Sequence, residues 1–268
     1  MSDYLGFGAH FTNRQVPTEA EYAQLHLARP EIVGLLGHHE RAVYERLEVL
    51  SGDWGRRPLY LCRIGEGRQD PYGAVNDYRR ARAQVPAWIL EERRWWPRYG
   101  NEVNHTEEGW PSDPEGYTAC LAAVREVCTE PLGLANLTLG RLGEPGCKVL
   151  MDWQVYLARL LRAGALAQVQ WVALSLYGNM ADPDQLLPYY GLGQCLIAVE
   201  YGVPWYRGQD RMQWWLWRGR QLQSAGISGL CIYIVGGETG GHWPAEYILT
   251  DEEARGVAEV AAELRRPF

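Results

Sequence analysis

Val169-Gln170-Trp171-Val172-Ala173-Leu174-Ser175-Leu176 is an apolar run of strand length. A strand with one wet face alternates apolar and polar residues. This run stays apolar, the pattern of a parallel strand covered on both faces. Parallel strands need crossover connections, usually helices. Such stretches flank the run: an amphipathic segment over 149–165 precedes it, and a short helix near Asp184 leads on to a second apolar run at 195–201.

Working outward, the same alternation fills the chain. Strands are predicted at 4–10, 31–37, 58–64, 98–103, 132–138, 169–176, 195–201 and 229–235. Helices are predicted from Thr18, over 39–50, over 74–94 with an interruption at Pro86, over 114–130, over 149–165, over 210–224 and from Thr250 to about Arg265. Thr18 with Glu21 has the spacing of a capping box, and Thr250 caps the last helix. Eight βα units with right-handed crossovers close into an α/β (β/α)8 TIM barrel, which typically takes about 250 residues. The 268 residues leave no segment for a second domain, so residues 1–268 are expected to form one barrel.

Composition excludes several classes. The apolar fraction of 47% and charged fraction of 22% are those of a globular chain, so disorder and fibrous repeats are set aside. A net charge of −7 does not suit a nucleic-acid surface. No stretch reaches the roughly 18 apolar residues of a membrane span. Met1-Ser2-Asp3-Tyr4 carries no basic segment followed by an apolar run, which predicts a cytoplasmic protein, with a phage-encoded product or release by lysis as the alternatives. The six cysteines form no CxxC pair and are expected to be buried thiols. No metal and no cofactor is expected: His38 and His39 lack an i,i+4 partner, and there is no HExxH, GxSxG, GxGxxG or Walker spacing. Twelve Trp and sixteen Tyr against three Phe suit wet surfaces that stack on sugar rings, and equally suit core packing.

In such barrels the working face lies at the C-terminal ends of the strands. Read in order, that face carries His10, His38 with His39, Arg63, Asn101 with Glu102, Asn136 with Thr138, Tyr177 with Asn179, and Glu200. Glycosidic cleavage calls for two carboxyl groups flanking the bond, one to protonate the leaving oxygen and the other to attack or to activate water. Glu102 and Glu200 close strands 4 and 7, which face each other across the mouth. The plainer alternatives are a rim salt bridge for Glu200 and a surface loop for Glu102.

Tyr99-Gly100-Asn101-Glu102-Val103-Asn104 resembles the strand-4 motif of the clan A retaining glycoside hydrolases, and Ile197-Ala198-Val199-Glu200-Tyr201-Gly202-Val203-Pro204 resembles their strand-7 motif. The resemblance covers the barrel order and these two segments. It implies a hydrolase acting with retention on a β-linked oligosaccharide or polysaccharide, with Glu102 as acid/base, Glu200 as nucleophile and Asn101 holding a sugar hydroxyl. It further implies that Tyr177 hydrogen-bonds the nucleophile. The clan places an arginine on strand 2, where this chain has His38 and His39; Arg63 on strand 3 is the substitute candidate. The clan also carries a tryptophan at the end of strand 8, and here the nearest is Trp243.

Around this pair, His10 is either a cleft-floor ligand or a core histidine, and Tyr177 has a buried core tyrosine as its alternative. Trp205, Trp243 and Trp110 are candidate stacking platforms, and Trp95 and Trp96 lie at the wrong end of the strand. Trp214, Trp215 and Trp217 share helical spacing that predicts core packing. His105, Glu107 and Glu108 are expected to be solvated. Two other functions remain open at this level: a sugar-binding barrel without turnover in a phage or cell-surface assembly, and a peptidoglycan-directed lysin.

Overall fold

A computed structural model describes residues 4–65, 70–106, 108, 113–139, 143, 148–177, 186, 188, 189, 192–202, 206–233 and 248–266. Its eight strands are β1 (Gly6–His10), β2 (Ile32–Leu36), β3 (Leu59–Ile64), β4 (Trp95–Tyr99), β5 (Gly133–Leu134), β6 (Trp171–Tyr177), β7 (Cys195–Gly202) and β8 (Ile227–Ile232). All pair in parallel, in sequence order, and β1 pairs with β8 to close the barrel. The (β/α)8 expectation holds.

The helices among the described residues are α1 (Glu19–Ala28), α2 (Arg41–Gly52), α3 (Pro71–Gln84), α4 (Ala87–Glu91), α5 (Pro114–Val127), α6 (Trp153–Arg162), α7 (Gly208–Ser224) and α8 (Asp251–Leu264). Their starts follow from local chemistry. Thr18 and Thr250 form capping boxes with Glu21 and Glu253, while Asp70 and Asp113 cap α3 and α5 ahead of Pro71 and Pro114. Pro86 ends α3 because the residue before a proline is pushed out of helical geometry, and Val85 is extended. The region of the short helix expected near Asp184 lies mostly outside the described residues.

Strand alternation divides the interior in two. Phe7, Val33, Tyr60, Trp95, Val172 and Leu230 point outward into the layer shared with the helices. Ile32, Leu61, Trp171, Ala173, Ile197, Val199 and Cys231 fill the bore. Gly133 is required there, since a Cβ at that position would sit 2.3 Å from the Trp171 ring. Above this apolar plug the inward positions turn polar: Arg63 follows Leu61, Ser175 and Tyr177 follow Trp171 and Ala173, Arg98 follows Trp96, which packs against the plug, and His10 alternates with the outward Phe7 and Ala9. The plug therefore forms a dry floor under a polar mouth.

Three expectations need correction. Strand 4 runs from Trp95 to Tyr99 and not over 98–103, because Trp95 is fully buried and Pro97 is accommodated opposite Cys62. Strand 5 shortens from seven residues to Gly133–Leu134. Beyond it, the backbone donors of Ala135 and Thr138 bond to the side chains of Tyr117 and Asn104, which removes them from the ladder. Of the three helix-7 tryptophans only Trp215 is fully buried; Trp214 stacks on Tyr201 and Trp217 is 53% exposed.

The cysteines Cys62, Cys120, Cys128 and Cys231 are buried free thiols, and Cys195 is free and partly buried. Cys147 lies outside the described residues.

Candidate active site

Glu200 reaches the mouth through an irregularity in β7. Leu174 pairs with Ala198, but Ser175 pairs with Glu200, leaving Val199 as an extra residue. Strict alternation would have turned Glu200 away from the bore once Ile197 and Val199 face it. The bulge restores the inward direction, and bulges commonly re-aim side chains in this way. Glu200 is buried, and Tyr177 donates to its Oε2 at 2.9 Å while Ser175 donates to the same oxygen at 3.2 Å. Arg98 Nη2 lies 3.8 Å from Oε1.

Glu102 sits on the turn after β4, three residues beyond Tyr99, in a left-handed conformation with φ 33°. For a residue with a Cβ this costs about 1–3 kcal/mol and needs surrounding structure to hold it. That structure is present. His105 N–H donates to the Glu102 carbonyl at 2.7 Å, and His105 pairs with Val149 in an antiparallel bridge. The fully buried Asn104 donates to the Thr138 carbonyl and accepts from the Thr138 N–H, both at 2.9 Å. The Glu102 loop is thereby tied to the segment after β5.

The Glu102 carboxyl is pushed up to about 8, first by burial, then by the charges of Glu200 and Glu108, against the hydroxyls of Thr138 and Ser175. Burial penalises the charged form, and a second carboxylate nearby penalises it further. At neutral pH Glu102 therefore holds a proton beside Glu200.

This shift has a measurable cost. Below about pH 4.5, the ordinary value, Glu102 is protonated in folded and unfolded chains alike and its raised affinity costs nothing. As pH rises toward 8 the unfolded chain releases the proton while the folded chain keeps it, so stability falls with pH until both are ionised. Glutamine carries no such term. Glu102→Gln is expected to match wild type in unfolding free energy at about pH 4 and to exceed it by on the order of 2–5 kcal/mol at about pH 9. Denaturant titrations at both pH values check this, and an unchanged difference between the two proteins contradicts it.

The remaining predicted residues fall into three groups. Asn101, next to Glu102 in the chain, is buried, and among the described residues its Oδ1 has no hydrogen-bond partner. His10 is buried within the bore, its ring 5.3 Å from that of Tyr233. Burial, and then Arg63 and Arg98, hold it well below the usual histidine range, so it is a neutral imidazole. Among the described residues its Nδ1 also has no hydrogen-bond partner. Arg63 is half-buried beside Arg98 and lines a cleft of about 560 Å³ with Gln15, His38, Asp77 and Gln84. It forms no ion pair with either glutamate, and the arginine at Glu200 is Arg98. Asn179, Trp205 and Trp243, with Trp110, lie outside the described residues.

Sequence reasoning missed Arg98, Ser175, Tyr233 and Glu108. Arg98 is buried, and its guanidinium donates to Asn136 Oδ1. Tyr233, one residue beyond β8, faces Tyr177 edge-on with ring centroids 6.2 Å apart, so it occupies the wall where Trp243 was sought. Glu108 is half-buried and its charge acts on Glu102, Arg98 and Tyr233, which corrects the expectation of a solvated loop residue. The available signal for Arg98 was parity, since it lies two residues after Trp96 on an apolar strand. His39 is structural: its Nδ1 accepts from Leu36 N–H at 3.1 Å and its Nε2 meets the Arg14 carbonyl at 2.9 Å.

No protein-family model matches the chain, and no curated protein sequence does. Solved structures do resemble it. An endo-β-1,3-glucanase of GH128 subgroup II from Sorangium cellulosum aligns with a TM-score of 0.62 at 13% identity, over 94% of this chain and 98% of that one. A second from Pseudomonas viridiflava gives 0.60 at 13% over 100% of both chains. An endo-β-1,4-mannanase from Thermotoga petrophila gives 0.56 at 13%, over 98% of this chain and 77% of that one. The likeness to barrels of this kind, first carried by two short motifs, thus extends through the fold.

Proposed function

We propose that this protein is a glycoside hydrolase that cleaves a β-linked glycan with retention, Glu200 acting as nucleophile and Glu102 as acid/base. One observation carries the assignment: of two buried carboxyl groups at the mouth, Glu102 holds its proton to about pH 8 while the hydroxyls of Ser175 and Tyr177 converge on Glu200. A carboxyl group that keeps its proton suits the acid role, and a neighbour held by hydrogen-bond donors suits the nucleophile role.

In the first step Glu200 attacks the anomeric carbon, the bond to the leaving oxygen breaks, and the Glu102 proton passes to that oxygen. In the second, water attacks the glycosyl-enzyme carbon, Glu102 takes the water's proton, and the Glu200 carboxylate is released. The unpartnered Oδ1 of Asn101 is an acceptor for a sugar hydroxyl, and the neutral His10 imidazole offers a second polar contact beside Tyr233. Likeness to two β-1,3-glucanases and a β-1,4-mannanase makes β-glucans and β-mannans the first substrates to test.

Proton NMR of the first product released from a hydrolysed glycan tests the mechanism. Retention predicts the β-anomer before mutarotation. Initial release of the α-anomer contradicts the double displacement and points to a water held between the two carboxyl groups.

A further inference from the structure

Arg98, Asn136 and Ser175 form a chain of hydrogen bonds beneath Glu200, and the chain has a direction. A guanidinium can only donate. Arg98 Nη1 donates to Asn136 Oδ1, which fixes that amide with its NH2 group toward β6. Asn136 Nδ2 then donates to Ser175 Oγ at 2.5 Å. With an acceptor site on Ser175 occupied from that side, its single proton is directed onward, to Glu200 Oε2 at 3.2 Å. Arg98, Asn136 and Ser175 are all buried, so water does not readily take over any of these bonds.

The direction matters because Ser175 has two claimants. Its hydroxyl also lies close enough to Glu102 to favour ionisation there. One proton cannot serve both carboxylates, and whichever receives it is favoured as the anion. We propose that Arg98 is a positioning residue: through Asn136 it commits the Ser175 proton to Glu200, and so sets which carboxyl group of the pair carries the shared proton. The proposal rests on the glycosidase reading for its catalytic meaning. The hydrogen-bond chain stands independently of it.

The other groups facing Glu102 are Glu200 from β7, Glu108 from its own loop, Arg98 from β4, Tyr177 from β6 and Tyr233 near β8, with the Thr138 hydroxyl after β5. Of these groups Arg98 alone bonds to Asn136, and the Ser175→Ala double variant separates its effect, since a freed guanidinium would act on Glu102 with or without the hydroxyl. Asn136→Leu removes the middle link and frees the Ser175 hydroxyl to turn toward Glu102. A merely structural or desolvating effect of leucine acts in the opposite sense, since lower polarity raises a carboxyl.

Carbon-13 NMR titration of the glutamate carboxyls reads this without any substrate, with the Glu102 resonance assigned by its absence in Glu102→Gln. The Glu102 midpoint is expected to fall by about one pH unit in Asn136→Leu, a tenfold change in ionisation constant. Adding Ser175→Ala should reverse that fall, because the freed hydroxyl is then gone. Asn136→Ala gives the same reading if the leucine variant does not fold. An unchanged or raised midpoint in the single variant, or a midpoint that stays low in the double, overturns the proposal. If no glycan is hydrolysed the catalytic reading fails, while the titration still decides the relay.

Discussion

Glu102→Gln is expected to lower kcat/KM by about 10²–10⁴-fold on glycans and on glycosides with poor leaving groups, and far less on activated aryl glycosides. The split follows from where the proton is needed. An alkoxide leaving from a sugar cannot depart without protonation, and glutamine has no acidic proton to give. A nitrophenolate departs without help. On activated substrates the first step continues while the second, which needs Glu102 as a base, slows, so the intermediate accumulates and KM falls together with kcat. Wild-type activity should also carry a basic limb near pH 8, where Glu102 loses its proton. Kinetics across a leaving-group series with both proteins check this. Equal losses on every substrate would mean that Glu102 supports the site without acting as its acid.

The larger effect is expected at Glu200. Glu200→Ala removes the attacking oxygen and leaves room for a small external nucleophile, and turnover should fall by roughly 10⁴-fold or more, the scale on which loss of a nucleophile acts. Azide should restore cleavage of an activated β-glycoside and yield the α-glycosyl azide, since one displacement replaces two. Tyr177 and Ser175 lose their acceptor in this variant, so its folding must be compared with wild type by circular dichroism. A β-azide product, or full activity without azide, would remove Glu200 from the nucleophile role.

The barrel was legible because strands buried on both faces read as unbroken apolar runs, and the run at 169–176 matches β6 at Trp171–Tyr177 within two residues. Glu200 was legible as a charged residue closing such a run, and Glu102 through the resemblance of Asn101-Glu102 to the clan A strand-4 motif. What brings them together was hidden. The extra residue at Val199 exists only in the pairing of β7 with β6, and no residue type announces it. The left-handed turn at Glu102 is held by Asn104 and by the bridge from His105 to Val149, contacts between segments more than thirty residues apart. Arg98 was obscured by its neighbours. The strand was expected over 98–103, yet it begins at Trp95 with Pro97 inside it, so the inward parity of Arg98 two residues after Trp96 went unread. Tyr233 was passed over for Trp243 because a tryptophan was the expected platform.

Fold alone does not assign chemistry, and at 13% identity the likeness to known barrels reaches no further than architecture. The functional claim therefore stands on the proton-holding Glu102 beside the donor-lined Glu200 at the mouth. A mechanism-based fluoroglycoside, matched to whichever β-glycan the protein hydrolyses, tests that claim most directly. The account predicts stoichiometric covalent labelling, located by mass spectrometry of peptides to Glu200. A label on any other residue, Glu108 or Glu102 included, would contradict it.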